Sequence, residues 1–138
     1  MAKKTLKLIL DTNLWVSFLI SKNYIQLDEI IFVKKAKIIF SRELLEEFLS
    51  VVKRRKFRRF FSNEDIRELL ETIQEHSEFI EVKSVVEMCR DNRDNFLLAL
   101  AKDSEADYLI TGDTDLLILE KMGKTKISTI TKFFKAEG

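Results

Sequence analysis

The 138-residue sequence has no proline, three glycines, one cysteine and one histidine, and each shortage narrows the possibilities. Because Cys89 is the only cysteine, an intrachain disulfide framework is excluded. Cys89 and His76 together cannot supply a zinc finger, and they argue against a His-based triad. Any metal bound by this chain would therefore need oxygen ligands. The scarcity of glycine and proline also predicts short connections between regular elements and no long linker.

The sequence also has no large excess of positive or negative charge, and it has no long hydrophobic run. With 24 basic and 23 acidic residues, its net charge is +1, so only local clusters of charge could attract nucleic acid. No basic stretch followed by a long apolar segment is present, so we expect a cytoplasmic protein rather than a secreted or membrane-inserted one. The length and the 46% apolar content predict one globular domain over residues 1–138.

What is present is an alternation of strand-like and helix-like segments. β-branched and apolar runs predict strands at residues 6–10, 37–40, 78–82, 108–111 and, shorter, 125–129. Helices are predicted between them, one opened by Ser41 and another by Asp91 or Asn92. Such alternation predicts an α/β protein, a three-layer α/β/α sandwich with a central parallel sheet of four to five strands.

Acidic residues follow the ends of two predicted strands. Asp11 comes directly after Leu10, and Asp113 lies two residues after Thr111. The carboxyl ends of parallel strands share one edge, which is where ligands bind in open α/β sheets. Asp94 lies in the first turn of a helix and shares its apolar face, so we expect its carboxylate near the same edge. Helix capping is the simpler interpretation of Asp11, and dipole complementarity is that of Asp94.

The helix after Ser41 offers three further acids, Glu43, Glu46 and Glu47. Advancing 100° per residue places Glu47 at the border of the apolar stripe and the other two nearer the opposite face. Glu47 is therefore the best placed to point inward, although all three are also compatible with a solvated surface.

Carboxylates gathered at one edge repel one another unless a cation or a proton neutralises them. Oxygen-only ligation favours Mg²⁺ or Mn²⁺ over zinc, and Mg²⁺ keeps waters that can take part in phosphoryl chemistry. The arrangement therefore predicts metal-assisted phosphoryl transfer.

The ordered set of these motifs resembles the PIN-domain ribonucleases. The resemblance rests on Leu-Asp-Thr-Asn at residues 10–13, on Glu47, on Asp-Asn-Phe-Leu-Leu-Ala-Leu-Ala at 94–101, and on Thr-Gly-Asp-Thr-Asp-Leu-Leu at 111–117. It implies a Mg²⁺- or Mn²⁺-dependent endoribonuclease. It also implies roles for particular residues: Asp11, Glu47, Asp94 and Asp113 as the catalytic acids, Asp11, Asp94, Asp113 and Asp115 as metal ligands, and Asn13 and Thr111 as supporting polar groups.

The branch that this sequence is most similar to comprises toxin components of prokaryotic toxin–antitoxin pairs, for which the TGDxDLL form is typical. That likeness implies RNA as substrate, an antitoxin protein as partner, and a homodimer. The alternative is a PIN-like fold that serves as a non-catalytic RNA-binding or protein-interaction module; the retained acids argue against it.

A basic segment follows the Glu47 helix: residues 53–61 contain six positive charges with phenylalanines between them. We interpret Lys53, Arg54, Arg55 and Lys56 as RNA-binding residues that contact phosphates, and Phe57, Phe60 and Phe61 as candidates for base stacking. A basic helix end that complements the helix dipole, with phenylalanines in the core, is the simpler interpretation.

Replacing Lys53, Arg54, Arg55 and Lys56 together by alanine is expected to weaken RNA binding and to flatten its salt dependence. With fewer phosphate contacts, binding releases fewer counterions from the RNA. The slope of log K against log salt, measured by fluorescence anisotropy, tests this. An unchanged slope would exclude the segment from RNA binding.

Overall fold

The computed structural model describes residues 5–137. Six strands form one sheet: β1 Lys7–Leu10, β2 Lys37–Phe40, β3 Ser77–Phe79, β4 Tyr108–Ile110, β5 Lys121–Met122 and β6 Thr125–Ser128. The α-helices are α1 Thr12–Ser21, α2 Ile25–Asp28, α3 Arg42–Val52, α4 Asn63–His76, α5 Asn92–Ser104, α6 Thr114–Leu117 and α7 Ile130–Glu137. A π-helical turn, Glu29–Val33, continues α2, and a 3₁₀ turn, Arg55–Phe57, lies between α3 and α4.

The strand order is β3-β2-β1-β4-β6-β5, and every neighbouring pair is parallel except β5 with β6. Leu8, Ile9 and Leu10 of the central strand β1 are fully buried although their side chains alternate between the two faces. Both faces of the sheet are therefore covered, as in a parallel sheet with helices on each side. The predicted α/β/α sandwich is confirmed.

Two details of the sheet differ from the prediction. A sixth strand, β5, forms a hairpin with β6 through Gly123, whose φ of 58° suits a glycine. β3 spans Ser77–Phe79 rather than residues 78–82, and Ile80 donates the last backbone hydrogen bond, to the Phe40 carbonyl, at 2.8 Å. β2 ends at Phe40, so residues beyond Ile80 have no neighbouring strand to pair with.

The prediction of short connections is wrong for residues 80–91, which contain no helix or strand. Side chains of α5 hold this segment in place of turn residues. The Asp103 carboxylate accepts hydrogen bonds from the N–H groups of Lys83 and Ser84, at 2.6 and 2.9 Å, and from the Ser84 hydroxyl. The Asn95 amide accepts from the Cys89 N–H at 2.8 Å and donates to the Cys89 carbonyl at 2.9 Å.

Helix caps fix the starts of the helices that lead to and from the acidic edge. The Ser41 hydroxyl accepts a hydrogen bond from the Leu44 N–H at 3.1 Å, which confirms Ser41 as the N-cap of α3. Asp91, rather than Asn92, caps α5. At the start of α4, Ser62 and Asp65 form a capping box.

The two edge strands of the sheet are short, with three residues in β3 and two in β5. Between them the buried side chains form one continuous apolar cluster. Within residues 5–137, no helix is both long and apolar enough to cross a membrane.

Replacing Asn95 by alanine is expected to lower the free energy of unfolding by about 2–3 kcal/mol, because the Cys89 N–H and carbonyl would lose their partner. Asn95 is 8% exposed, whereas Asn92, on the same helix, is exposed, so Asn92→Ala is the matched control. Urea midpoints measure both variants. Equal midpoints would show that the amide does not hold the segment.

Candidate metal centre

The register of β1 and β4 brings Asp11 and Thr111 together. Leu10 lies opposite Ile110, and the Asp11 N–H donates to the Ile110 carbonyl at 3.0 Å. The Thr111 hydroxyl donates to the Asp11 carboxylate at 2.6 Å and accepts from the Asp113 N–H at 3.0 Å. The Thr111 hydroxyl thus links Asp11 to the loop that carries Asp113. Asp11 occupies the N-cap position of α1; its side chain makes no short capping hydrogen bond, although the backbone N–H groups of Asn13 and Thr12 lie near enough to lower its pKa.

Asp11 is 8% exposed, and burial raises the pKa of its carboxyl group. The Thr111 hydroxyl opposes this shift in pKa, while the negative charge of Asp113 adds to it. The carboxylate is therefore kept in an environment that disfavours its charge, and the Thr111 hydroxyl is the first of the donors that oppose this.

Asp94 carries the largest perturbation among these acids. It is 5% exposed in the first turn of α5, and its pKa is raised to about 7 by burial first and by the neighbouring Asp113 carboxyl next. Asp91 and Asp11 raise it further. Complementing the helix dipole would not require burial beside another acid, so dipole complementarity alone does not explain this residue.

Three carboxylates can offer oxygens to one ion. Asp94, Asp113 and Asp115 each have an oxygen within 4.8 Å of the others. Asp115 is exposed, and Arg90 approaches its carboxylate at 3.5 Å. Asp11 is not a member of this set, but its charge raises the pKa of both Asp94 and Glu47, so it lies beside the set and borders Glu47.

Of the three glutamates on α3, Glu47 is the one that faces the acids. Its side chain is 22% exposed, and its pKa is raised by burial, opposed by Arg93 at 3.8 Å and increased by the charge of Asp11. Glu46 is exposed and pairs with Arg42 at 3.0 Å, and Glu43 is exposed. The placement of Glu47 agrees with the choice made from the helical periodicity.

The two predicted supporting residues contribute differently. Thr111 is 3% exposed and forms the link described above. The Asn13 side chain is exposed, and Asn13 acts on Asp11 through its backbone N–H, which lowers the pKa of that carboxyl group.

Sequence reasoning missed Arg93 and Asn95, which flank Asp94. The Arg93 guanidinium lies 2.8 Å from the Asp91 carboxylate and 3.8 Å from Glu47. Asn95 ties the preceding segment to α5. Their positions next to Asp94 in the sequence were the signal by which these two residues could have been found. The thiol of Cys89 is also close, since its pKa is raised by burial and then by the charges of Asp94, Asp115 and Asp113.

The basic segment lies at the other end of α3. Lys53 caps the helix six residues after Glu47, which corresponds to about 9 Å along the axis. Lys53, Arg54, Arg55 and Lys56 are exposed, and none of them forms an ion pair with a residue that the structure describes. Phe61 is buried and stacks on Phe57 with ring centroids 6.2 Å apart, so Phe61 belongs to the core, as the simpler interpretation held.

The residues present fit a divalent cation. Asp94 is buried beside Asp113 and forms no ion pair within residues 5–137, where Arg93 is engaged with Asp91 and Glu47 and Arg90 approaches Asp115. A carboxylate in that position must be protonated or must share a cation. The ligand atoms on offer are all carboxylate oxygens, the donor type that Mg²⁺ and Mn²⁺ prefer.

Comparison with known proteins gives two matches. Residues 7–115 match the sequence profile of the PIN domain, and this span contains Asp11, Glu47, Asp94, Asp113 and Asp115. An uncharacterized protein of the archaeon Methanocaldococcus jannaschii is 33% identical over 134 residues, which cover 94% of this chain and 86% of that protein.

The free energy of unfolding of the metal-free protein is expected to fall as the pH rises from about 4 to about 7. Folded Asp94 keeps its proton up to about pH 7, whereas the unfolded side chain releases it near 3.8, so the folded state binds more protons in this window. Asp94→Asn should remove this component and stabilise the metal-free protein at pH 7.5 by on the order of 1–3 kcal/mol. Urea unfolding in EDTA measures the effect.

Glu43→Gln, which neutralises an exposed acid on α3, is the control and should leave the pH profile unchanged. Saturating Mn²⁺ should raise the melting temperature of the parent and not that of Asp94→Asn. A parent melting temperature that Mn²⁺ does not move would show that the acids do not share an ion.

Proposed function

This chain belongs to the PIN-domain family, a nuclease superfamily, and from that premise we propose that it is a Mg²⁺- or Mn²⁺-dependent endoribonuclease. PIN nucleases generally use divalent metals. The observation that carries the proposal is the burial of Asp94, with a pKa of about 7, against Asp113 at the carboxyl edge of a parallel sheet.

The proposed ligands are Asp94, Asp113 and Asp115, which can offer oxygens to one ion, together with Asp11, which lies beside them. Once bound, the cation lowers the pKa of a water molecule and stabilises negative charge on the phosphoryl oxygens. The chain supplies the fixed orientation: the Thr111 hydroxyl holds the Asp11 carboxylate at 2.6 Å and the Asp113 N–H at 3.0 Å, so these two acids keep their spacing before substrate arrives.

Glu47 is the proposed residue that orients the attacking water and accepts its proton. Burial raises the pKa of Glu47, which makes it a better base than an exposed glutamate, and Arg93 at 3.8 Å restricts where its carboxylate can point. Attack of the water oxygen on phosphorus breaks the bond to the 3′ oxygen. The products are a 5′-phosphate and a 3′-hydroxyl.

We also propose a biological role, as the toxin component of a toxin–antitoxin pair in the cytoplasm. The support is the likeness of Thr111–Leu117 to the form typical of such toxins. In this role the partner is an antitoxin protein that covers the acidic edge, and the toxin acts as a homodimer. Growth arrest on expression, relieved by the product of a small adjacent gene, would test it.

RNA cleavage is expected only with Mg²⁺ or Mn²⁺ and is expected to stop in EDTA. Asp11→Asn and Asp94→Asn should each lower the rate by about 100-fold or more, since loss of even an outer-shell partner costs 10–100-fold. Gel assays of a 5′-labelled single-stranded RNA measure this, and the chemistry of the new ends is read from ligation by RNA ligase.

Glu47→Gln and Glu43→Gln form a matched pair on α3, since only Glu47 faces the acids. The first should lose activity and the second should keep it. Metal-independent cleavage, or full activity of both aspartate variants, would refute the proposed chemistry. RNA binding without any cleavage would instead favour the non-catalytic module.

A further inference from the structure

An open cavity of about 510 Å³ lies between the end of α3 and the start of α4. Two cations, Lys53 and Arg58, line it, together with the Ser62 side of the α4 N-terminus. Its apolar lining comes from Val52, Phe61 and Ile66. The size is that of a small-molecule site, and the lining combines positive charge with apolar and aromatic surface.

The side chains of the two cations have no anionic partner among the residues that the structure describes. In the part of the chain that the structure describes, neither Lys53 nor Arg58 forms an ion pair or a side-chain hydrogen bond. The acids of the first turn of α4 have other partners: Asp65 accepts from the Ser62 N–H at 2.8 Å and Glu64 pairs with Arg67. Lys53 and Arg58 are thus free to bind an anion.

The cavity lies away from the acidic centre along α3. α3 begins directly after β2, at the carboxyl edge of the sheet, and leads away from it. Lys53 is about 9 Å along the helix axis beyond Glu47. This separation leaves room for two different phosphates of one longer strand, one at the acids and one in the cavity.

We infer that this cavity is a second binding site for single-stranded RNA. It binds one nucleotide of the strand, at a distance from the scissile bond. Lys53 and Arg58 bind its phosphate, and the base lies against the apolar wall formed by Phe61 and its neighbours. The inference rests on the proposed function, because the cavity accepts a distant part of the strand that the acidic centre cleaves.

RNA fits this lining better than an acidic peptide does. A carboxylate-bearing peptide would need charge alone, and Arg54, Arg55 and Lys56, which are also exposed, would serve it equally well. The cavity differs from those residues in adding apolar and aromatic surface beside the charge, which is the combination that single-strand binding proteins use for a base and its phosphate.

The test compares two double variants of equal charge. Lys53→Ala/Arg58→Ala removes the two cavity cations, and Arg54→Ala/Arg55→Ala removes two neighbouring cations outside the cavity. Fluorescence anisotropy in EDTA measures binding of labelled single-stranded RNAs of about 4 to 16 nucleotides, the range of site sizes for such proteins. The same RNAs are then used in cleavage assays with Mn²⁺.

The cavity variant should bind the longest RNA about tenfold more weakly, with a salt slope reduced by about 0.7 for the lost phosphate contact. Arg54→Ala/Arg55→Ala should weaken the binding of the same RNA by less than about threefold. With Mn²⁺, the cavity variant should cleave a subsaturating amount of the longest RNA about tenfold more slowly than the parent, because less of that RNA is bound.

Equal losses in the two variants would overturn the inference and leave a diffuse basic surface. Failure of the parent to bind RNA would overturn it as well, as would tighter binding of an acidic peptide that depends on Lys53 and Arg58. Absence of cleavage with preserved, cavity-dependent binding would refute the proposed function and not the second site. Circular dichroism of both variants controls for folding.

Discussion

The parallel pairing of β1 with β4 is the constraint on which the acidic centre depends. Its register sets Leu10 beside Ile110, and the residues that follow, Asp11 and Thr111, meet as soon as the two strands end. Because Thr111 also accepts from the Asp113 N–H, the third acid takes its position from the same two strands. Two of the acids, Asp11 and Asp113, thus take their positions from the ends of buried strands.

Burial of the carboxylates at this site disfavours their negative charge, and within residues 5–137 the fold does not supply cations that compensate for it. Asp94 and Asp11 are almost fully buried, and Arg93, which follows Asp91 at the start of the same helix as Asp94, pairs with Asp91 and Glu47 instead. A fold optimised for stability alone would replace such acids with apolar residues. A shared divalent ion, as proposed above, would offset this energetic cost, which the metal-free chain bears.

Periodicity and strand-end acids in the sequence were enough to predict the parallel sheet, the helices between its strands and the inward position of Glu47. These features repeat a local pattern, and they need no knowledge of distant contacts. The segment 80–91 could not be predicted in the same way, since the Asp103 and Asn95 side chains that hold it come from a later helix. The role of Thr111 likewise depends on a hydrogen bond that spans 100 positions of sequence.

The short edge strands have a consequence for how this protein can associate. β3 and β5 leave only a few backbone N–H and carbonyl groups open to another strand, so the sheet offers little template for growth by strand addition. This limits both aggregation through the sheet edges and recognition by an added β-strand. A protein partner of this chain would accordingly have to dock on helices or loops, and complexes would be held by side-chain complementarity rather than by a shared backbone ladder.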